Sequence, residues 1–431
     1  MTDAARSSRT VLGAGLLTLL TPTVALAEDA LNTGDTAWVL TSTALVLFMT
    51  VPALALFYGG LVRTKNVLSI LMQCLVLTAF MSLLWLAGAY SLSFAEGNAF
   101  FGSFFDKFFL RGIAPDTLWG SIPEPVFFAF QMTFAVITPA LIVGAFVERM
   151  RFSAVLIFSA LWLFLVYAPI CHMTWGGGLF SEWGVFDFAG GIVVHITAGV
   201  AALVLCIVIG PRTGHGKTPM PPHNLTMTFM GTAMLWVGWF GFNGGSALAA
   251  NGSAAMAVVV THISAATATL VWMGIEWIKH GKPSLLGAAT GAIAGLAAVT
   301  PASGYIGPFG GFAIGIVSGG TCWYFSTVLK NRLGYDDSLD VFGVHGVGGF
   351  LGTVLVGVFA SEIFGGLEGD LMIGSQLGTQ FFAAVVTCLY TAVATFILIK
   401  ITGLFVSIRV DAAEEQEGLD ISLHEEVGYN L

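Results

Sequence analysis

Two short stretches decide the fold: "DFAGGIVVHI" at residues 187–196 and "DVFGVHGVGG" at residues 340–349. Each places an aspartate and a histidine, Asp187 with His195 and Asp340 with His345, in a run made otherwise of glycine and apolar side chains. Ionisable side chains inside a membrane segment are costly and point to function. The first question is therefore whether these stretches belong to segments that cross a membrane.

The composition predicts that they do. Hydrophobic residues make up 56% of the 431 residues and charged residues only 10%, against roughly 25% charged in an ordinary soluble domain. Runs of about 20 apolar residues, each long enough to cross ~30 Å of hydrocarbon as a helix, recur along the chain. The ~10-residue alternating segments typical of spanning strands do not occur. The five cysteines have no spacing that indicates a disulfide framework or a metal site.

Turn signals and charges divide the chain after residue 28 into eleven predicted spans. The spans are 36–62, 67–94, 125–147, 152–172, 189–210, 224–243, 254–277, 285–301, 306–329, 341–361 and 373–405. Residues 1–27 resemble a cleaved signal peptide, with a basic start, an apolar run and "ALA" at its end. The sequence thus predicts an all-α membrane protein with a short tail, 406–431, and no soluble domain of any size.

The basic residues orient these spans. If the mature chain starts outside, twelve of the sixteen Lys and Arg residues fall on the cytoplasmic side, two fall in external loops and two lie in the signal peptide. The positive-inside rule then places the N-terminus outside and the C-terminus in the cytoplasm. Together with the signal peptide, this predicts a multi-pass protein of the cytoplasmic (inner) membrane of a bacterium.

The Asp/His stretches fall in the fifth and tenth predicted spans. A five-span unit inserted twice arrives in opposite orientations, which predicts an inverted repeat with a site near the midplane between its halves. Repeat one covers about 36–210 and repeat two about 224–361, and an eleventh helix follows at 373–405. The 54 glycines fit the close packing of helices in lipid.

The histidines are the first candidates for function. Neutral imidazole donates one hydrogen bond and accepts another without carrying charge, so His195 and His345 suit a path for a small polar molecule or a proton relay. A packed histidine bonded to a backbone carbonyl is the alternative, and it is favoured for His262. Asp187 precedes the fifth span as a predicted N-cap, ~12 Å from His195. Asp340 lies in "DDSLD", for which a solvated loop is the simpler interpretation.

Aromatic side chains near the external ends of spans form a second candidate site. Phe130 and Phe134 lie in "FQMTFA", Trp175 in "HMTWGGG", and Phe242 and Ser246 in "WFGFNGGS". Aromatic faces with a hydroxyl form a cage for a small cation, through cation–π attraction worth ~1–2 kcal/mol. The alternative for Trp175 is an ordinary interfacial anchor.

The chain resembles the ammonium transporter, methylammonium permease and Rhesus glycoprotein family, and its bacterial branch most of all. The resemblance runs from "ALFYGGLVRTKNVLS" to the tail and includes the two Asp/His stretches. The other matching motifs are "ERMRFSAVLIF", "HMTWGGGL", "GWFGFNGGS", "GKPSLLGAATGAIAGL", "TPASGYIGP" and "EEQEGLDISLHEE". So many motifs in order make the resemblance specific. In "FQMTFA", Met132 and Thr133 stand where close bacterial relatives have small residues.

The resemblance implies a homotrimer in which each eleven-helix protomer has its own pore between the two halves. It also implies roles for eight residues. Phe134, Trp175 and Ser246 would form an external ammonium-binding site that Asp187 supports. Phe130 and Phe242 would form an aromatic gate, and His195 and His345 would line the pore. The tail resembles the cytoplasmic regulatory segment that PII-type signal proteins contact in bacteria; a solvated acidic tail is the alternative.

These expectations define a transporter and not an enzyme, with no cofactor, metal or nucleic acid. Ammonium, with methylammonium as a further candidate, is expected to bind outside, lose a proton and pass as ammonia along the histidines. Net transfer of charge is favoured as the property of the bacterial branch. The alternatives are an ammonia channel without charge transfer and an ammonium sensor that acts through a PII-type partner.

Overall fold

The computed structural model describes residues 30–430, which are almost entirely helical. One short hairpin pairs Leu118–Trp119 with Ile122–Pro123 in antiparallel register. Ten of the described helices are long and apolar enough to cross a membrane, and an eleventh apolar helix, Leu285–Val299, has 15 residues. The predicted all-α membrane fold is therefore confirmed. The predicted signal peptide, 1–27, lies outside the described residues.

The eleven helices are numbered here as spans 1 to 11. Their bounds are Thr33–Leu61, Thr64–Phe94, Glu124–Ala145, Phe152–Glu182, Gly191–Ile209, Leu225–Gly245, Gly252–His280, Leu285–Val299, Pro308–Leu333, Phe342–Phe359 and Ile373–Phe405. Most ends lie within a few residues of the prediction. Span 4 runs further, because its helix continues to Trp175 and, after three glycines, resumes as Leu179–Glu182.

The C-terminal segment is docked on the bundle. It contains two short helices, Ala412–Glu417 and Leu419–His424. The Asp420 carboxylate accepts hydrogen bonds from the N–H groups of Leu68 and Ser69, at 3.0 and 2.8 Å, at the start of a helix in span 2. Thr213 N–H donates to Glu415 Oε1 at 2.6 Å. The side of the bundle that carries this segment is called the tail face, and the other side the opposite face.

Spans 5 and 10 meet through glycines at the centre of the molecule. A Cβ added to Gly199 in span 5 would lie 2.1 Å from the backbone nitrogen of Gly346 in span 10. A Cβ on Gly349 would lie 2.7 Å from the Cβ of His195. Small residues let helix backbones approach closely in membrane proteins. The two halves are therefore held together by backbone contact beside the two histidines.

We expect Gly199→Ala to destabilise the fold strongly. The added methyl group would overlap backbone atoms of span 10, which cannot move aside as a side chain can. Overpacking of this kind costs about 1–3 kcal/mol or more. The melting temperature of the detergent-solubilised protein checks this.

Gly274→Ala is the matched control. Gly274 lies inside the span 7 helix, and nothing lies within 4 Å of its added Cβ. Because alanine is the better helix former, this variant should be as stable as the parent or slightly more so. A Gly199→Ala protein that melts with the parent would contradict the proposed backbone contact.

Candidate functional site

Both histidines lie in π-helical turns. His195 belongs to the turn Gly191–Ile196, and His345 to the turn Phe342–Gly346. The His195 N–H donates to the carbonyl of Gly190, five residues earlier, at 3.0 Å. Such turns are rare and are frequently found at functional sites. Each half of the chain therefore places its histidine in a π-helical turn.

The two imidazoles face each other. Nδ1 of His195 lies 3.2 Å from Nδ1 of His345, and the rings are 5.2 Å apart with an angle of 24°. One of these nitrogens must donate and the other accept, so the neutral pair shares one proton and adopts opposite tautomers. Nε2 of His195 has no hydrogen-bond partner among residues 30–430. The alternative from the sequence is a packed histidine bonded to a backbone carbonyl. The Nδ1 atoms of His195 and His345 instead contact each other.

Asp187 caps the start of span 5, as the sequence predicts. Its buried carboxylate accepts four backbone hydrogen bonds, two on Oδ1 at 2.9 and 2.7 Å and two on Oδ2 at 2.8 and 3.2 Å. The donors are Gly190, Gly191, Ile192 and Val193. The Trp175 indole Nε1 donates to the backbone carbonyl of Asp187 at 2.8 Å. Asp187 therefore fixes the turn that carries His195 and the ring of Trp175 together.

The counterpart of Asp187 in the second half is Asp337, not Asp340. Asp337 lies eight residues before His345, as Asp187 lies eight before His195. Its Oδ2 accepts from the N–H of Phe342 at 2.7 Å, and its Oδ1 has no partner in the described part of the chain. Asp340 forms an ion pair with Lys330, so it is not simply a solvated loop residue. The equal eight-residue spacing was the signal in the sequence.

The aromatic rings form a connected group. The Phe134 ring lies 4.3 Å from that of Phe242, tilted by 40°, and 5.8 Å from Trp175, nearly perpendicular to it. Phe130 contacts Phe134 at 5.0 Å. The closely packed pair is thus Phe134 with Phe242, and not Phe130 with Phe242, the two residues that the resemblance assigns to the gate. Residues four apart share a helix face, so the sequence could not decide between the two phenylalanines. The Ser246 hydroxyl donates to the Phe242 carbonyl at 2.8 Å.

Three cavities follow one another through the bundle. The cavity at the opposite face has a volume of 190 Å³, and Trp175 and Ser246 are among its lining residues. A central cavity of 10 Å³, about the size of one water, is lined by both histidines, Trp239 and apolar side chains. A cavity of 220 Å³ toward the tail face also contacts His345. The histidine pair therefore stands between the two wider cavities.

Charged side chains surround the loops at the tail face. Glu148 forms ion pairs with Arg63 at 2.6 Å and Arg212 at 3.4 Å, and Arg212 also pairs with Asp336 at 2.8 Å. Burial alone raises the pKa of Glu148, but the guanidinium groups outweigh it and the pKa is lowered. The pKa of Asp336 is lowered by Arg212 in the same way. The neighbouring Asp337 is different, because burial and the charge of Asp340 raise its pKa to about 6.

We expect Asp337→Asn to stabilise the protein above pH 6, by about 1–3 kcal/mol. Since the folded pKa of Asp337 is raised, its ionised form destabilises the fold above pH 6, and this cost is relieved as the pH falls through 6. Asparagine keeps the oxygen that accepts from Phe342. Melting temperatures between pH 4.5 and 8 check the difference.

Asp336→Asn is the adjacent control and should have the opposite sign. Because the folded pKa of Asp336 is lowered, its ionised form stabilises the fold above its unfolded pKa of about 4, and that stability is lost as the pH falls. This variant should therefore be less stable than the parent at pH 7. Equal destabilisation by both substitutions would refute the assignment for Asp337.

The fold and the three cavities together indicate the class of protein. A multi-pass helical protein whose two faces carry cavities, separated by a buried pair of imidazoles, has the architecture expected of a membrane transport protein. The model of the Ammonium Transporter Family matches residues 37–429, and the chain belongs to this family. Ammonium transporters of Bacillus subtilis and Aquifex aeolicus are 46% and 43% identical to it, over 92% and 97% of this chain and 98% of each relative.

Solved structures of the same kind superpose on this fold. Mep2 of Saccharomyces cerevisiae has a TM-score of 0.82 and 33% identity, covering 89% of this chain and 88% of that one. A chain described as a Sensor Amt Protein has a TM-score of 0.84 and 28% identity, with coverage of 91% and 98%. Membership of this family supports ammonium transport as the general function.

Proposed function

We propose that this protein takes up ammonium across the cytoplasmic membrane of a bacterium, with the opposite face outside and the tail face in the cytoplasm. The ion binds in the 190 Å³ cavity, loses a proton and continues as ammonia past the histidines. The observation that carries the proposal is the contact between His195 and His345 at 3.2 Å, at the smallest of the three cavities. Family membership supports the identity of the substrate.

The first step is capture of the cation. Trp175 and Ser246 line the external cavity, and Phe134 presents its ring to Trp175 at 5.8 Å. Aromatic faces attract a cation by about 0.5–2 kcal/mol, and a hydroxyl oxygen accepts one of its N–H groups. Asp187 supports the site through the Trp175 indole and not by direct contact.

The gate follows the capture site. The rings of Phe134 and Phe242 are 4.3 Å apart, and Phe130 packs against Phe134 at 5.0 Å. We place the pair of Phe134 and Phe242 between the external cavity and the central one, which Phe242 lines. The rings must move apart to pass a molecule the size of ammonia. We therefore assign the gate to Phe134 and Phe242, with Phe130 as the ring that supports them.

Selectivity follows from deprotonation. Potassium is also a small monovalent cation, so a cation–π site alone separates it poorly from ammonium. Potassium keeps its charge and meets the full desolvation cost in the central cavity, whereas ammonium loses its proton and enters as a neutral molecule. The neutral imidazoles offer ammonia a donor and an acceptor there.

The proton is proposed to cross through the imidazole pair, which makes transport electrogenic. The 3.2 Å contact between the two Nδ1 atoms is the observation that supports this route. An ammonia channel that returns the proton outside is one alternative. A sensor acting through a PII-type partner at the tail face is the other, and it is favoured by the docked C-terminal segment and by the likeness to the Sensor Amt Protein.

The assembly is proposed to be a homotrimer in the lipid bilayer, with one pore in each protomer. Residues 28–405 form the transport domain after removal of residues 1–27, and residues 406–431 form the regulatory tail. Methylammonium is proposed as a second substrate because it keeps the positive charge and three N–H groups.

The test is the current evoked by an ammonium pulse on proteoliposomes that hold the purified protein, with a potassium pulse as control. A current for ammonium alone is expected. Silence to both ions together with protein-dependent internal alkalinisation would favour the ammonia channel. Silence without alkalinisation would overturn transport and favour the sensor.

A further inference from the structure

Gln131 is a polar residue of span 3 that the eight assigned residues do not include. It lies between Phe130 and Met132, its exposed fraction is 8%, and it lines the external cavity with Trp175 and Ser246. Its Oε1 atom has no hydrogen-bond partner among residues 30–430. Of the eight residues around this cavity, it is the only one with a carboxamide.

A buried carbonyl oxygen without a partner costs about 1–3 kcal/mol. Some buried glutamines of this chain avoid this cost and others do not. Gln380, also fully buried, donates to the carbonyls of Phe186 and Thr353 at 2.7 and 2.8 Å, and its Oε1 accepts from the N–H of Phe186. Among residues 30–430, Gln73 in span 2 also has an unbonded Oε1, so a missing partner does not by itself indicate a ligand. What distinguishes Gln131 is that it lines the external cavity, where its amide can reach a partner that enters.

The cavity itself shows what that partner needs. Its aromatic faces attract positive charge without fixing a direction. The Trp175 N–H is already bonded to Asp187, and the Ser246 hydroxyl hydrogen to Phe242, which leaves only the lone pairs of Ser246 as a hydroxyl acceptor. An ammonium ion brings four N–H donors, so one hydroxyl leaves most of them unbonded. The site therefore needs a second hydrogen-bond acceptor for the N–H groups of the ion.

We propose that Gln131 is that second acceptor and sets the affinity of the external site for ammonium. This inference rests on the proposed function, since it places the ion in the same cavity. The terminal torsion of glutamine is broad and roughly two-fold, so a half-turn of the amide exchanges its oxygen and nitrogen and brings the oxygen to an N–H of the ion. The contact is made on binding and lies before the gate, so it acts on KM and not on the maximal rate.

The test is the ammonium-evoked current of Gln131→Leu in proteoliposomes, measured over a range of ammonium concentrations. Leucine preserves the apolar packing and removes the acceptor. We expect KM to rise about tenfold, as for a lost hydrogen bond to a charged group, with a maximal current within about twofold of the parent. Gln131→Glu retains an acceptor at the same place and should keep KM at or below the parent value.

Gln73→Leu is the matched control. Gln73 is also buried, its Oε1 also has no partner in the described chain, and it lies in span 2 outside the residues that line the external cavity. Its KM should stay at the parent value. An unchanged KM in Gln131→Leu means that Gln131 meets only water, and it overturns the inference.

A calorimetric titration with ammonium chloride separates this inference from the proposed function. If the parent binds ammonium but shows neither current nor internal alkalinisation, transport is refuted, and a tenfold weaker Kd in Gln131→Leu still supports Gln131 as an acceptor. If the parent neither binds nor conducts ammonium, both proposals are overturned.

Discussion

Replacing both His195 and His345 by alanine is expected to reduce the ammonium-evoked current at least tenfold, to the level of empty vesicles. The two imidazoles are the hydrogen-bonding side chains that face each other across the central cavity, where the Trp239 N–H is already bonded to Thr300. Without them, ammonia meets an apolar passage and the proton has no relay. The double variant tests charge transfer more directly than any single substitution.

His262→Ala is the control for this experiment. His262 is also a histidine of a spanning helix, but it lies at the exposed surface of span 7, near the rings of Trp236 and Phe240. The predicted packing and bond to a backbone carbonyl are wrong for His262, because its side chain is exposed and makes no such bond within residues 30–430. Since it does not line any of the three cavities, the His262→Ala variant should conduct as the parent does. A parental current in the double histidine variant would refute the proposed proton route, and internal alkalinisation without current would leave an ammonia channel.

Replacing Asp187 by alanine is the second change with a large expected effect. The substitution leaves four buried backbone N–H groups at the start of span 5 without an acceptor, and each costs about 1–3 kcal/mol. We expect a loss of several kcal/mol in stability, with little folded protein recovered and no ammonium current. Size-exclusion chromatography in detergent and the melting temperature measure the loss.

Asp337→Ala is the matched control from the other half. The Asp337 carboxylate accepts the N–H of Phe342, and one of its oxygens has no partner among the described residues. Its removal should therefore cost much less than the removal of Asp187. Equal yields and melting temperatures for Asp187→Ala and the parent would show that the four hydrogen bonds do not hold the turn.

The spans were predictable because their cause is local. An apolar run must be a helix in lipid, where every backbone group needs an internal partner, and charges and turns mark its ends. The cap at Asp187 was predictable for the same reason, since an aspartate just before a helix accepts its free N–H groups. Both predictions depend only on neighbours in the sequence.

The parts that could not be predicted depend on contacts between distant segments. Phe130 and Phe134 have the same chemistry and share a helix face, and only the position of span 6 decides that Phe134 meets Phe242. Asp337 is a different case, because its hydrogen bond to Phe342 is local and its eight-residue spacing from His345 is visible in the sequence. The likeness between the stretches that begin at Asp187 and Asp340 favours the wrong aspartate. The π-helical turns at His195 and His345 leave no mark that periodicity detects.

The glycine contact between spans 5 and 10 has a consequence for biosynthesis. Gly199 and Gly346 are 147 residues apart, and synthesis proceeds at about 5–20 residues per second. The ribosome therefore needs on the order of 10–30 s to deliver the second glycine after the first. During this interval the first half waits in the membrane with the surface around His195 uncovered. Insertion machinery or lipid must shield that surface, and a pause in translation between the halves would prolong the exposure.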